Sequence, residues 1–189
     1  TFKQFAIHQD RCAMKVGTDG VLLGAWASVE HLEHCHRILD IGTGTGLIAL
    51  MAAQRSRAAI VGIDLDEAAV TQATENAACS PWSHRIRMVR GDIRPITHEL
   101  SSDGNQPQFD ALLCNPPYFE NALRCPDAQR TMARHTDTLT FDELARSAAG
   151  LLSPDGELSV VIPFDRAMDM TVSAASHGLF ATRQTIVCP

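Results

Sequence analysis

Short apolar runs alternate with helix-forming stretches along most of this 189-residue chain. The apolar runs are rich in Val, Ile and Leu and end at Gly, Pro or Asp, as strands covered on both faces do. The stretches between them carry helix formers and few breakers. The pattern predicts strands at 37–42, 58–64, 85–89, 109–114, 157–163 and 180–187, and helices at 47–55, 66–78, 140–152 and 164–178.

Strands separated by helices predict an α/β fold of the Rossmann-like type, a doubly wound, mostly parallel sheet with helices on both faces. We expect a single domain over 1–189, with an N-terminal head segment at 1–35 and a core at 36–189. The sequence ends at Pro189, directly after the strand predicted at 180–187. That strand would be an exposed sheet edge, so we expect a further C-terminal strand that this sequence lacks.

Composition narrows the class of protein without naming a function. No apolar stretch approaches the ~20 residues that a membrane-spanning helix needs. Six scattered cysteines without a CxxC pair are typical of reduced thiols in the cytoplasm. The histidine-rich stretch at 31–37 has no second cluster of ligands, so we expect no metal. A net charge of −6 argues against a general nucleic-acid coat and restricts any RNA contact to a local basic patch.

Three glycines follow the first predicted strand in the pattern D-x-G-x-G-x-G, formed by Asp40, Gly42, Gly44 and Gly46. In a doubly wound sheet this turn lies at the carboxyl ends of the strands, where ligands bind. The dinucleotide fingerprint G-x-G-x-x-G differs in spacing. An acid ahead of the glycines suits a ligand that carries an ammonium or sulfonium group better than it suits a pyrophosphate.

Two more acids end the next two strands. Asp64 can accept hydrogen bonds from ribose hydroxyls, and Asp92 can accept one from an adenine amino group. Leu65 and Ile93, which follow these acids, complete the predicted cofactor set. Each acid also has a simpler interpretation, because Asp64 with Asp66 could cap a helix and Asp92 could cap a turn. Together the acids predict an adenosine ligand without phosphate.

The stretch CNPPYF (114–119) follows the strand at 109–114. Pro116 and Pro117 fix φ and remove backbone donors, so these six residues alone predict a rigid turn. A turn does not by itself explain an amide, Asn115, on one side and an aromatic residue, Tyr118, on the other.

With these motifs, residues 36–189 resemble the class I S-adenosylmethionine-dependent methyltransferases, and NPPY resembles the motif of their amino-methylating branch. The resemblance implies S-adenosylmethionine as methyl donor and S-adenosylhomocysteine as product. It implies that Asn115 and the Pro116 carbonyl accept hydrogen bonds from a planar amino group, that Pro117 stiffens the turn, and that Tyr118 stacks on the target ring. An aromatic amine is a poor nucleophile, so positioning and electrostatics would supply most of the catalysis.

The head at 2–26 and the SPW stretch at 80–82 resemble the bacterial valine-tRNA adenine-37 N(6)-methyltransferases. This resemblance implies an enzyme that methylates the exocyclic amino group of an adenine in a tRNA anticodon loop. It further implies that the helix beginning near Asp19 covers the methionine end of the cofactor, and that Lys15 and Thr18 meet its carboxylate.

A basic, irregular connection follows the NPPY motif. We expect its cationic residues to contact tRNA phosphates, although a solvated loop would have the same composition. We also expect a monomer that does not associate with membranes. The candidate tRNA contacts are Arg124, Arg130, Arg134 and His135.

Three other functions remain open at this stage. The NPPY motif would equally serve a methyltransferase acting on a glutamine amide of a protein such as a release factor, although the N-terminal domain expected of that group is absent from this sequence. A DNA adenine methyltransferase would need a base-recognition domain. A binding module that had lost the reaction would not need the three acids and Asn115.

Overall fold

A computed structural model describes residues 2–12, 15–29, 35–94, 108–116 and 139–188, and the structural statements below concern those ranges. They contain a five-stranded sheet in the order β3-β2-β1-β4-β5, and all neighbouring strands are parallel. The strands are β1 (Arg37–Ile41), β2 (Ala59–Asp64), β3 (Ile86–Arg90), β4 (Phe109–Cys114) and β5 (Leu152–Val160).

Helices connect the strands as the alternating pattern predicts. The helices are α1 (Thr18–Trp26), α2 (Leu47–Arg55), α3 (Glu67–Ala78), α4 (Phe141–Leu151) and α5 (Ala167–Ser176), with 3-10 turns at Ser83–Arg85 and Phe164–Arg166. The strand order reverses between β1 and β4, as in a Rossmann-like doubly wound sheet. The predicted fold class is therefore confirmed.

Both faces of the sheet are buried, which explains why the strands are continuous apolar runs. Leu39 and Leu112 point to one face, where α4 and α5 pack, while Ile38 and Leu113 point to the other, where α1 and α2 pack. All four side chains are at most 1% exposed. Successive strand residues alternate between the faces, so burial on both sides favours apolar residues at most positions, with Asp40 of β1 as a buried exception.

The last strand of the sheet begins earlier than predicted. Leu152 already pairs with Phe109, and the register then shifts so that Glu157 pairs with Ala111. Residues Ser153 to Gly156, which separate the predicted helix at 140–152 from the predicted strand at 157–163, therefore form a bulge inside β5. A Cβ atom at Gly156 would lie 2.8 Å from the carbonyl oxygen of Phe109, so the bulge requires glycine there.

The prediction of a strand at 180–187 is wrong, because residues 179–188 have no regular secondary structure. No strand of the described ranges pairs with this segment. It instead contacts Trp26 at the end of α1. The Trp26 indole donates to Thr185 Oγ1 at 2.8 Å, and the Arg183 guanidinium lies 3.8 Å from the indole centroid.

None of the helices in the described ranges is long and apolar enough to cross a membrane.

Candidate active site

A cavity of about 310 Å³ opens at the carboxyl ends of the strands, next to the point where the strand order reverses. This is where doubly wound sheets bind ligands. Most of the predicted cofactor residues line it together with the start of the NPPY motif. These are Lys15, Gly42, Gly44, Asp64, Leu65, Asp92, Ile93, Asn115 and Pro116.

The glycine loop between β1 and α2 adopts a conformation that other residues would strain. Gly42, Gly44 and Gly46 have φ of 68°, 54° and 81°, all in the left-handed region. Gly46 does not line the cavity. It is the N-cap of α2, and a Cβ atom there would lie 3.3 Å from Ala73 Cβ of α3. The alternating glycines therefore serve both the turn and the close packing of two helices.

Asp64 holds this loop in place while lining the cavity. Its Oδ2 accepts a 2.9 Å hydrogen bond from the Gly44 amide, and its Oδ1 accepts one of 3.0 Å from the Asp66 amide. Asp66 in turn caps α3 by accepting from the Ala68 amide at 2.9 Å. Asp66 is therefore the helix cap, whereas Asp64 lines the cavity and its contact with ribose hydroxyls stays a prediction.

Asp40 lies beneath the loop rather than in the cavity wall, and it is completely buried. Its Oδ2 accepts hydrogen bonds from Thr43 Oγ1 at 2.6 Å and from the Ala49 amide at 3.0 Å. Its Oδ1 has no hydrogen-bond partner in the described ranges. Burial raises the pKa of Asp40 from 3.8 to about 6. An unsatisfied buried carboxylate oxygen fits a ligand that brings positive charge above the loop.

Asp92 is clamped by Arg94, a cavity residue that sequence reasoning missed. Arg94 Nε lies 3.0 and 2.8 Å from the two Asp92 oxygens, and its Nη2 lies 2.6 Å from Oδ2. The Arg94 amide also donates to Asp92 Oδ1 at 2.9 Å, which is the local turn that the sequence suggested. The hydrogen bond from the Arg94 side chain lowers the pKa of Asp92. The spacing D-x-R was the available signal.

The head segment forms part of the cavity wall. Lys15, Gly17 and Gly20 line the cavity, whereas Thr18, the first residue of α1, does not. Lys15 Nζ donates to the Gln9 carbonyl. Helix α1 thus contributes Gly20 to the cavity wall, and of the two residues predicted to meet the carboxylate only Lys15 lines the cavity.

Two buried amides on α3 hold the head against the core, and nothing in the motif pattern indicated them. Asn76 exchanges hydrogen bonds of 2.9 and 2.8 Å with the His8 backbone and donates a third to the Thr45 carbonyl at 2.9 Å. Gln72 Oε1 accepts from the Arg11 amide at 3.3 Å. Both amides are 1% exposed. Polar residues on the inner face of a helix were the available signal, because buried amides need partners.

The NPPY motif enters the cavity from the end of β4. Asn115 is partly exposed, and no hydrogen bond to its side chain is found within the described ranges. A Cβ atom on Gly20 would lie 3.8 Å from Asn115 Nδ2, so α1 passes close to this amide. Pro116 is buried beside it. Pro117 and Tyr118, and the predicted tRNA contacts Arg124, Arg130, Arg134 and His135, lie outside the described residues.

Two cysteines also line the cavity without offering a nucleophile. Burial raises the pKa values of Cys12 and Cys114, so both remain neutral thiols and act as apolar wall. The site therefore combines carboxylates, backbone amides and one amide side chain. It can hold an adenosine-like ligand and accept hydrogen bonds from an amino group. His31 and His34, which belong to the histidine-rich stretch at 31–37, lie outside the described residues.

Comparisons with known proteins agree with this chemistry. The family model of the methyltransferase small domain matches residues 18–177. A tRNA1(Val) (adenine(37)-N6)-methyltransferase of Bacteroides thetaiotaomicron is 54% identical over 97% of this chain and 74% of its own length. The protein of the same name from Bacteroides fragilis is 50% identical over 98% of this chain and 76% of its own length. The crystal structure of TrmN from Thermus thermophilus superposes with a TM-score of 0.53 and 29% identity, covering 75% of this chain and 37% of that one.

Proposed function

The chain belongs to the methyltransferase small-domain family and, within it, to the tRNA1(Val) (adenine(37)-N6)-methyltransferases, and on this premise we propose that it methylates N6 of adenine 37 in a valine tRNA with S-adenosylmethionine as donor. One observation carries the proposal. The same cavity is lined by the glycine loop with Asp64 and by Asn115. A donor site and an amino-group acceptor are therefore adjacent.

The residues present fit this donor. Asp64 would accept hydrogen bonds from the ribose hydroxyls, and Asp92 from the adenine amino group, with Leu65 and Ile93 beside the adenosine. Gly42 and Gly44 leave room for close approach of the backbone.

At the methionine end, the unsatisfied Asp40 would compensate positive charge. We assign the carboxylate to Lys15 rather than to Thr18, because only Lys15 lines the cavity.

When bound, S-adenosylmethionine supplies an electrophilic methyl group on a positively charged sulfur. The Asn115 side-chain oxygen and the Pro116 carbonyl each accept one hydrogen bond from the adenine amino group. Two acceptors on the amino hydrogens would favour a pyramidal nitrogen with a more available lone pair, so Asn115 and Pro116 would position and activate the amino group for methylation. No strong base is required, because the nitrogen becomes acidic once it is methylated and can release its proton to water.

Residues outside the described ranges complete the proposal. Tyr118 would stack on the flipped adenine, as aromatic side chains do when enzymes take a base out of its stack. Arg124, Arg130, Arg134 and His135 would contact phosphates of the anticodon loop. A tRNA substrate would place the reaction in the cytoplasm.

The test is transfer of tritium from labelled S-adenosylmethionine to unmodified total tRNA, with a release-factor protein as the competing substrate. We expect label in tRNA, and a nucleoside digest should identify it as N6-methyladenosine. Unmodified tRNA lacking only the valine species should remain unlabelled. Label in the release factor instead of tRNA would contradict the proposal and favour glutamine methylation.

A further inference from the structure

Arg94 binds both oxygens of Asp92 in the wall of the cavity. The fork of Nε and Nη2 faces the carboxylate at 2.6 to 3.0 Å, and the Arg94 amide adds a fourth contact. Both side chains are only 27% exposed. A planar guanidinium that binds a carboxylate in this way fixes the orientation of the carboxylate as well as its charge.

The same arginine connects Asp92 to α4. Arg94 Nη1 lies 4.0 Å from Glu143 Oε1. Glu143 Oε2 accepts from the backbone amide and the hydroxyl of Thr140 at 2.8 Å each, and its own amide donates to Thr140 Oγ1, so the pair forms a capping box. Leu139, the residue before this box, lines the cavity. The Asp92 carboxylate is therefore braced from two elements.

A second arginine near the end of β3 shows what an ordinary ion pair looks like here. Arg90 Nη1 lies 2.9 Å from Glu67 Oε2, but the side chains are 62% and 76% exposed and do not line the cavity. Such exposed pairs contribute little. The Asp92–Arg94 pair differs from the Glu67–Arg90 pair because it is less exposed, because the guanidinium contacts both carboxylate oxygens, and because it lies in the wall of the site.

We propose that Arg94 is a positioning residue that holds the Asp92 carboxylate in the orientation that recognises the 6-amino group of the donor's adenine. This inference rests on the proposed function. Arg94 limits the rotation of the Asp92 side chain in the free protein. Ligand binding therefore does not have to order the carboxylate, and the binding free energy is not reduced by that entropy cost. Loss of the clamp should therefore reduce discrimination for the amino group, not only affinity.

The experiment compares binding of S-adenosylhomocysteine with binding of its deaminated analogue S-inosylhomocysteine, which has an oxygen in place of the amino group. Isothermal titration calorimetry gives both dissociation constants for the wild-type chain, Arg94→Ala, Arg94→Lys and the matched control Arg90→Ala. We expect Arg94→Ala to weaken S-adenosylhomocysteine roughly tenfold, the scale of one charge-assisted hydrogen bond. Its preference over the inosine analogue should fall by a similar factor.

Arg94→Lys should recover part of the preference, because lysine keeps the charge but not the fork. Arg90→Ala should match the wild type. An Arg94→Ala variant that keeps the wild-type ratio of the two dissociation constants would overturn the inference, as would an equal loss of preference in Arg90→Ala. If Arg94→Ala does not fold, Arg94→Lys alone must show a reduced ratio, and an unchanged ratio overturns the inference.

Failure of the proposed function gives a different result. A wild-type chain that does not bind S-adenosylhomocysteine at all contradicts the donor assignment itself. A wild-type chain that binds it and methylates tRNA, but whose Arg94 variants keep full preference, contradicts only the role of Arg94.

Discussion

The two sides of the cavity treat their polar groups in opposite ways. On the glycine-loop side, each cavity-facing carboxylate is already bound by the protein, Asp64 by two backbone amides and Asp92 by Arg94. At the end of β4, the Asn115 side chain has no hydrogen-bond partner in the described ranges. The two carboxylates and Asn115 all lie at or just after the end of a parallel strand. Strand position alone therefore does not explain why only the carboxylates are hydrogen-bonded by the protein.

The difference follows from the proposed roles of the groups, since the carboxylates bind the cofactor and Asn115 acts on the reacting amino group. A group that binds an unchanging part of a cofactor gains from being fixed in advance, because ordering costs are then not taken from the binding free energy. A group that acts on the reacting amino hydrogens must offer free acceptor capacity at the moment of transfer. Asn115 is partly exposed, so its amide can be hydrated in the free protein and stays available to a substrate at the cavity.

Asn115→Ala should have the largest effect on activity. Methyl transfer to tRNA should fall by about 10²- to 10³-fold, the scale of a lost oxyanion-hole donor. S-adenosylhomocysteine should still bind within a few-fold of the wild type, since the ribose and adenine groups remain. Tritium transfer and calorimetry measure the two quantities separately, and normal turnover would contradict the assignment.

Asn76→Ala is the matched control for that variant, because Asn76 is an amide whose hydrogen bonds are all inside the protein. It should lower the free energy of unfolding by about 1–3 kcal/mol, since it leaves buried backbone groups unpaired. Asn115→Ala should leave the free energy of unfolding unchanged or slightly higher. Urea unfolding followed by circular dichroism distinguishes them.

Gly44→Ala should have the next largest effect, because it strains the glycine loop, which is already ordered before the ligand binds. At φ of 54° an alanine costs roughly 1–2 kcal/mol. If the free loop relaxes, binding must restore the strained form, which corresponds to a loss of about 5- to 30-fold in affinity for S-adenosylhomocysteine.

Gly178→Ala provides the control, since Gly178 has φ of 79°, no atom within 4 Å of an added Cβ, and a position after α5 away from the cavity. It should lower stability by a similar amount and leave affinity unchanged. Equal affinity losses in both variants would mean that the loop has no special role.

Asp40→Asn should produce the smallest effect, visible in the dependence on pH. The folded-state pKa of about 6 lies above the ordinary value of 3.8, so the folded chain binds more protons between those values. The Asp40 contribution to the free energy of unfolding therefore falls as pH rises through this window and is constant above it. Between pH 5 and 7 the wild type should lose about 1 kcal/mol relative to Asp40→Asn.

Binding of S-adenosylhomocysteine should show the opposite trend. A ligand that brings an ammonium group favours the ionised carboxylate, so wild-type affinity should rise as pH increases towards and past 6, and this rise should be absent in Asp40→Asn. The free energy of unfolding and the affinity for S-adenosylhomocysteine would be measured against pH for both proteins. If the two proteins showed the same pH dependence in both measurements, the titration of Asp40 would not affect stability or binding as expected here.

Sequence pattern predicted β1 to β4 and helices α2 to α5 within a few residues, because short apolar runs alternate with longer stretches of helix formers. It placed the start of β5 too late, since no local signal shows that Ser153–Gly156 forms a bulge against β4. The strand predicted at 180–187 had a suitable local pattern, but strands need partners, and that segment contacts Trp26 instead.

For the site, the sequence by itself determined the residue types and their order: three glycines that tolerate positive φ, acids at successive strand ends, and an amide before two prolines. Those choices depend on local backbone conformation and on the side-chain inventory, which are encoded within a few residues. Only the tertiary structure decided that Asp40 lies below the loop and that Asn76 and Gln72 hold the head in place. These contacts join residues or surfaces that are distant in sequence or set by burial, and burial is a property of the packed chain.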